Sequence, residues 1–132
     1  MRYDLALPAY VFMPEHVHLV IYPNRSQYDI SAILSSSKVP VANRALARMR
    51  KVSDARLEAL RVGDQLRFWQ PGGGYDRNIY STEALQASID YIHQNPFHRG
   101  LVDHTANDQW SGAGAFYSGS SELLRVDTQL AL

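Results

Sequence analysis

The sequence predicts an α+β fold. Two β-forming segments, "LALPAYVFM" and "HVHLVIY", come one after the other near the start, and two stretches with helical character follow. The first segment is apolar and aromatic and reads as a strand running to Met13, where Pro14 and Glu15 interrupt it. The second, His16 to Tyr22, is rich in β-formers and reads as a second strand. "PNRSQYD" is a turn. From about Ser26 to Met49 the chain reads as helix, with a kink or a break into two helices at Pro40, which has no N–H to give and crowds the preceding turn. "DQLRFWQ" is a short strand candidate and "PGGGYDRN" a glycine-rich loop. Ser81 or Thr82 caps a further helix, with Glu83 in its first turn, predicted to run to about Gln94 because Pro96 follows. After Trp110 the chain is rich in Gly and Ser and weakly periodic, so 1–132 reads as one domain whose 111–132 segment includes a weakly structured C-terminal tail.

Composition narrows the function classes. The 132 residues are 45% hydrophobic and 20% charged, which suits a folded chain with a modest core. There is no cysteine, so disulfides, thiolate nucleophiles and cysteine metal sites are excluded. No apolar run reaches membrane-spanning length and the start lacks the pattern of a signal peptide, so no membrane partner is expected and a cytoplasmic location is the default. Net charge is zero but uneven: residues 1–37 carry −1, residues 38–67 carry +5 and residues 68–132 carry −4. The middle block is either a footprint for phosphates or a solvated helix surface.

Two sites carry possible chemistry. His16 and His18 are one residue apart, so on a strand both imidazoles share a face, while Val17, Leu19 and Ile21 point to the other and pack against the core. Such a pair either binds one divalent ion through neutral nitrogens or forms a wet sheet face with one ring bonded to Glu15 or a carbonyl. In "SIDYIHQNP", Tyr91 and Asn95 are four apart and share a helical face, beside an apolar stripe of Leu85, Ile89 and Ile92. Tyr91 is either a nucleophile helped by a base or metal, or a partly buried helix tyrosine.

The stretches "AYVFMPEHVHLVIYP", "FWQPGGGYDRNI", "ASIDYIHQNPFHRGLV" and "DQWSGAGAFY" together resemble the IS200-like family, the Y1 or HUH single-tyrosine transposases, in its REP-associated tyrosine transposase branch. The resemblance runs from about Ala9 to Tyr117 and keeps order and approximate spacing. It implies a ferredoxin-like two-layer α+β sandwich with a central antiparallel sheet. Eight residues precede Ala9 where members carry a further strand and helix, so the expectation is a sandwich shortened at the N-terminus, a chain with a wrongly assigned start, or a sheet completed by a partner subunit. The resemblance also implies a homodimer acting on single-stranded DNA, often beside a hairpin, with Mg²⁺ or Mn²⁺ held by His16, His18 and Asn95.

In that family the helix tyrosine, here Tyr91, attacks a DNA phosphodiester, forms a 5′-phosphotyrosine and releases a 3′-hydroxyl; a second strand end reverses the attack. The implied function is metal-dependent cleavage and strand transfer, that is, DNA transposition or recombination. The alternative is a catalytically weak hairpin-DNA-binding module derived from such an element. Lys38, Arg44, Arg48 and Lys51 are candidate phosphate contacts, and Arg77 either holds a phosphate or pairs with Asp76. Trp69 and Tyr75 are candidate platforms for unpaired bases, Trp69 being equally readable as a core aromatic. Gly72, Gly73 and Gly74 form either a mobile turn or a close backbone approach. Two positions depart from the family pattern: Glu15 stands where members commonly have Asn, and "WSGA" at Trp110–Ala113 replaces "WSSA", a change expected to add flexibility.

Overall fold

The computed structural model describes residues 4–72, 74–119 and 123–129. The chain gathers into two compact units, one of Gln27–Arg77 and one of Asp4–Ser26 with the chain from Asn78 onward.

In the second unit, β1 (Leu5–Phe12) pairs antiparallel with β2 (Val17–Pro23). The register passes from Ala6↔Tyr22 to Ala9↔Val20, so Leu7 and Pro8 form a bulge. Pro8 has no N–H to give the ladder, and Asp127 takes up its neighbour: the Leu7 N–H donates to Asp127 Oδ2 (2.8 Å) and the Leu7 carbonyl accepts the Asp127 N–H (3.0 Å). The edge of β1 away from β2 is further covered by residues 110–112. Phe12 N–H donates to the Trp110 carbonyl (2.8 Å), Gly112 N–H donates to the Tyr10 carbonyl (3.1 Å), and Val11 bridges to Ser111. The part of the 111–132 segment expected to be weakly structured is thus tied to β1 where it is described, and it also contains helix α3 (Ala113–Ser118).

Helix α2 (Thr82–His98) begins at Ser81, whose side-chain oxygen accepts the Ala84 N–H. Ile89 and Ile92 pack on Ala9, Val11, Met13 and Val20, with Leu85 alongside, as their helical spacing predicted. The helix does not stop at Gln94: Pro96 lies inside it, buried, and the last turn continues with Arg99 N–H bonded to the Asn95 carbonyl. The expected orientation of β2 is corrected. Val20, of the same parity as His18, is the buried residue, whereas Leu19 is 41% exposed. The histidine face is therefore the face covered by α2.

In the first unit, α1 (Ile30–Lys51) is one helix with Pro40 inside it, starting later than Ser26 because Asp29 caps it by accepting the Ser31 and Ala32 N–H groups. Two helices at Pro40 are not formed. A 3₁₀ turn (Ala55–Leu60) leads into the hairpin of β3 (Arg61–Val62) and β4 (Gln65–Leu66), where Gly63 takes φ 60° at the turn. Only Gln65–Leu66 of "DQLRFWQ" is strand. The described residues thus form an α+β arrangement with two separate two-stranded sheets, without the central multi-stranded sheet of a ferredoxin-like sandwich.

Candidate active site

His16 lies just before β2, its carbonyl accepting the Met13 N–H (2.8 Å), and His18 lies within the strand opposite Val11. The two imidazole rings meet edge to face with centroids 4.6 Å apart. Across from them, the Tyr91 ring meets His18 with centroids 5.8 Å apart at 74°. Burial of Ile89 and Ile92 against the sheet sets the register of α2 that presents Tyr91 there. Tyr91 remains 63% exposed, so its phenol is open to a substrate. His18 is half-buried; that desolvation, and secondarily the neighbouring His16, hold its pKa below the usual imidazole value and favour a neutral ring.

Glu15 borders the pair. Its carboxylate accepts from the Arg99 guanidinium and lies 3.0 Å from His16 Nδ1. The Arg99 hydrogen bond is the main reason that Glu15 titrates below the ordinary carboxylate range. One of the two sequence readings of the pair, a ring bonded to Glu15, is therefore seen at His16. Arg99 was not singled out in the sequence, where nothing marks it as a partner of a residue eighty-four positions earlier.

The expectation of Mg²⁺ or Mn²⁺ is corrected by this donor set. Among the described residues no group of three or more His, Cys, Asp or Glu side chains is arranged to hold a metal ion. The two imidazoles have no third ionisable ligand, because the nearby Glu15 carboxylate is already engaged by Arg99. Asn95 is half-buried one turn beyond Tyr91 on α2, and a neutral amide adds no charge to offset the dehydration of a hard cation.

The remaining sequence candidates lie in the unit of Gln27–Arg77. Arg44, Arg48 and Lys51 are exposed along α1 at spacings of four and three, so they share a helical face. Lys38 is half-buried, with Nζ 5.8 Å from the Trp69 ring centroid. The Trp69 indole N–H donates to the Lys38 carbonyl (2.9 Å), which pins the half-buried ring onto α1. Tyr75 is 88% exposed and Arg77 is exposed in the same stretch outside helix and strand. Gly72 and Gly74 adopt positive φ (99° and 79°), which is the physical reason for glycine there; Gly73 lies outside the described residues.

Two residues missed by the sequence reading stand out. His93 is fully buried with neither ring nitrogen hydrogen-bonded, and Asp108 is buried with Oδ2 unpartnered. No periodicity reveals an unpaired buried atom; Asp108 falls inside the stretch "DQWSGAGAFY", where the sequence assigns it no role. No protein-family model, curated protein or solved structure matches this chain. The likeness to single-tyrosine transposases therefore stands on the four motif stretches themselves.

Proposed function

We propose that the chain cleaves and rejoins single-stranded DNA through a 5′-phosphotyrosine on Tyr91. The observation that carries this reading is the Tyr91 ring against His18, which in turn meets His16. The phenol oxygen attacks the scissile phosphorus, and the O–P bond to the 3′ carbon's oxygen breaks. The phenolic proton passes to the neutral His18 imidazole, and the departing 3′-oxygen takes a proton from solvent water to become a hydroxyl. Reversal by another 3′-hydroxyl restores a phosphodiester and frees Tyr91, so no nucleotide or external energy is consumed. The exposed Arg44, Arg48 and Lys51 support a nucleic-acid substrate by offering charge for its phosphates. A hairpin-bearing strand and a homodimer follow from the motif resemblance and belong to the same proposal.

The test is a denaturation-resistant adduct with single-stranded DNA carrying the hairpin and flanks native to the gene's surroundings. Wild type should form the adduct. Tyr91→Phe, which removes one oxygen and keeps the packing, should bind the DNA and form none. A wild type that binds the native strand but never becomes covalently attached would favour a hairpin-DNA-binding module instead.

A further inference from the structure

We infer that a cleft next to the Tyr91 site is a pocket for one unpaired nucleobase, with guanine as its preferred occupant; this rests on the single-stranded DNA reading above. The cleft has a volume of about 520 Å³ and is lined by Phe12, Pro14, Pro96, Leu101, Asp108 and Trp110 among others. That size lies within the range of small-ligand pockets, roughly 300–1,000 Å³. Pro14 immediately precedes Glu15, and Pro96 immediately follows Asn95, so the cleft opens where β1 ends and α2 approaches its C-terminus. The proposed occupant is a base close in sequence to the phosphate attacked by Tyr91.

The lining matches a base in two respects. Trp110 and Leu101 are half-exposed and Phe12 is 37% exposed, an apolar and aromatic surface of the kind on which bases stack. At the wall, Asp108 is only 8% exposed. Its Oδ1 accepts the Trp110 N–H (3.0 Å), while Oδ2 is buried and has no partner. A buried acceptor without a donor is costly, and an occupant that supplies the donor removes the cost. Because Oδ2 is buried, the half-exposed Trp110 must move aside as the base enters.

Base chemistry then selects guanine. Its Watson–Crick edge sets a ring N–H beside an amino group, two adjacent donors for an acceptor-only carboxylate. Adenine and cytosine place their amino group beside a ring-nitrogen acceptor, and the thymine N–H lies between two carbonyls. Each of those turns a lone pair toward Asp108.

The test uses Tyr91→Phe protein, so binding is read without covalent capture. Fluorescence anisotropy compares a short oligothymidine with one bearing a single guanine, inosine or 7-deazaguanine. Guanine should strengthen binding about tenfold, the scale of one good base contact. Inosine, lacking the amino group, should lose most of that gain, and 7-deazaguanine should keep it. Adding Asp108→Asn, which keeps an oxygen for the Trp110 N–H but turns an amide donor to the base, should erase the preference. Adding Trp110→Ala, at a half-exposed position, should weaken guanine binding about tenfold. No guanine preference in the parent, or a preference that survives both substitutions, overturns the pocket. Adduct formation by the wild type on its native hairpin strand, without guanine preference in the Tyr91→Phe parent, overturns the pocket alone, whereas guanine preference in the parent without any wild-type adduct overturns the nuclease reading and keeps the pocket.

Discussion

His93, two residues beyond Tyr91, is enclosed by the rings of Phe116 and Tyr117 at centroid distances of 5.2 and 5.4 Å. Burial drives its pKa from 6.5 to about 4, against a smaller opposing pull from Asp90. Asp90 also accepts the Tyr117 hydroxyl (3.1 Å), and burial together with that bond raises the Tyr117 pKa. Because the unfolded chain binds a proton at His93 more readily than the folded one, the stability linked to this ring is complete above pH 6.5. It is lost as pH falls toward about 4, by on the order of 3 kcal/mol. Asp54, lowered to about 2, gives way only at lower pH, so the windows separate. His93→Leu should be at least as stable as wild type at pH 7, since it removes two unpaired nitrogens, and should show a flatter fall of urea midpoint between pH 6.5 and 4. An equally steep fall in the variant would rule out His93 as its source.

At the scale of elements, the two strands and the packing of α2 on the sheet were legible because a β-forming run is split by Pro14 and Glu15 and because Leu85, Ile89 and Ile92 repeat at helical spacing. Which face of β2 the helix covers was not legible. Val17, Leu19 and Ile21 compete with Val20 for the interior, and a run apolar at both parities leaves period two without a choice. The decision falls to α2, which covers Val20 and His18. Likewise Pro96 marked an end that the helix passes, the preference before proline being a tendency rather than a stop.

Gly112 offers a second lesson. Its place in "WSGA" suggested looseness, yet φ is an ordinary −80° and the residue is buried. A Cβ there would come within 2.6 Å of Val126 Cγ2 and 3.3 Å of the Tyr10 ring. Glycine is required by a close approach, and valine's restricted χ1 limits the escape. Gly112→Ala should therefore destabilise the chain by about 1–3 kcal/mol, read as a lower thermal midpoint; an unchanged midpoint would show that the 123–129 segment yields without cost.

For the whole molecule, zero net charge conceals a basic middle block, and this was readable directly from residue counts. The structure puts Arg44, Arg48 and Lys51 on one exposed helical face, while Trp69 proves tied to α1 through the Lys38 carbonyl, a long-range bond that no local pattern announces. Replacing Arg44, Arg48 and Lys51 together by Gln should weaken single-stranded DNA binding and reduce the slope of log affinity against log salt by about 2. An unchanged slope would remove this face from the interface. The proposed homodimer is checked by light scattering at micromolar concentration, which should give about twice the 14.9 kDa chain mass; a monomer with full cleaving activity would contradict it.

The central claim is that Tyr91 becomes bonded to DNA, and peptide mass spectrometry of the trapped adduct tests it most directly. Trypsin releases residues 78–99 as one peptide, which contains Tyr80 and Tyr91. After reaction with the native hairpin strand and nuclease trimming, the expected result is a nucleotide phosphate on this peptide, with fragmentation placing it on Tyr91 and leaving Tyr80 unmodified. Attachment at Tyr80 or at any other residue, or an equal yield of the adduct from Tyr91→Phe, would contradict the account.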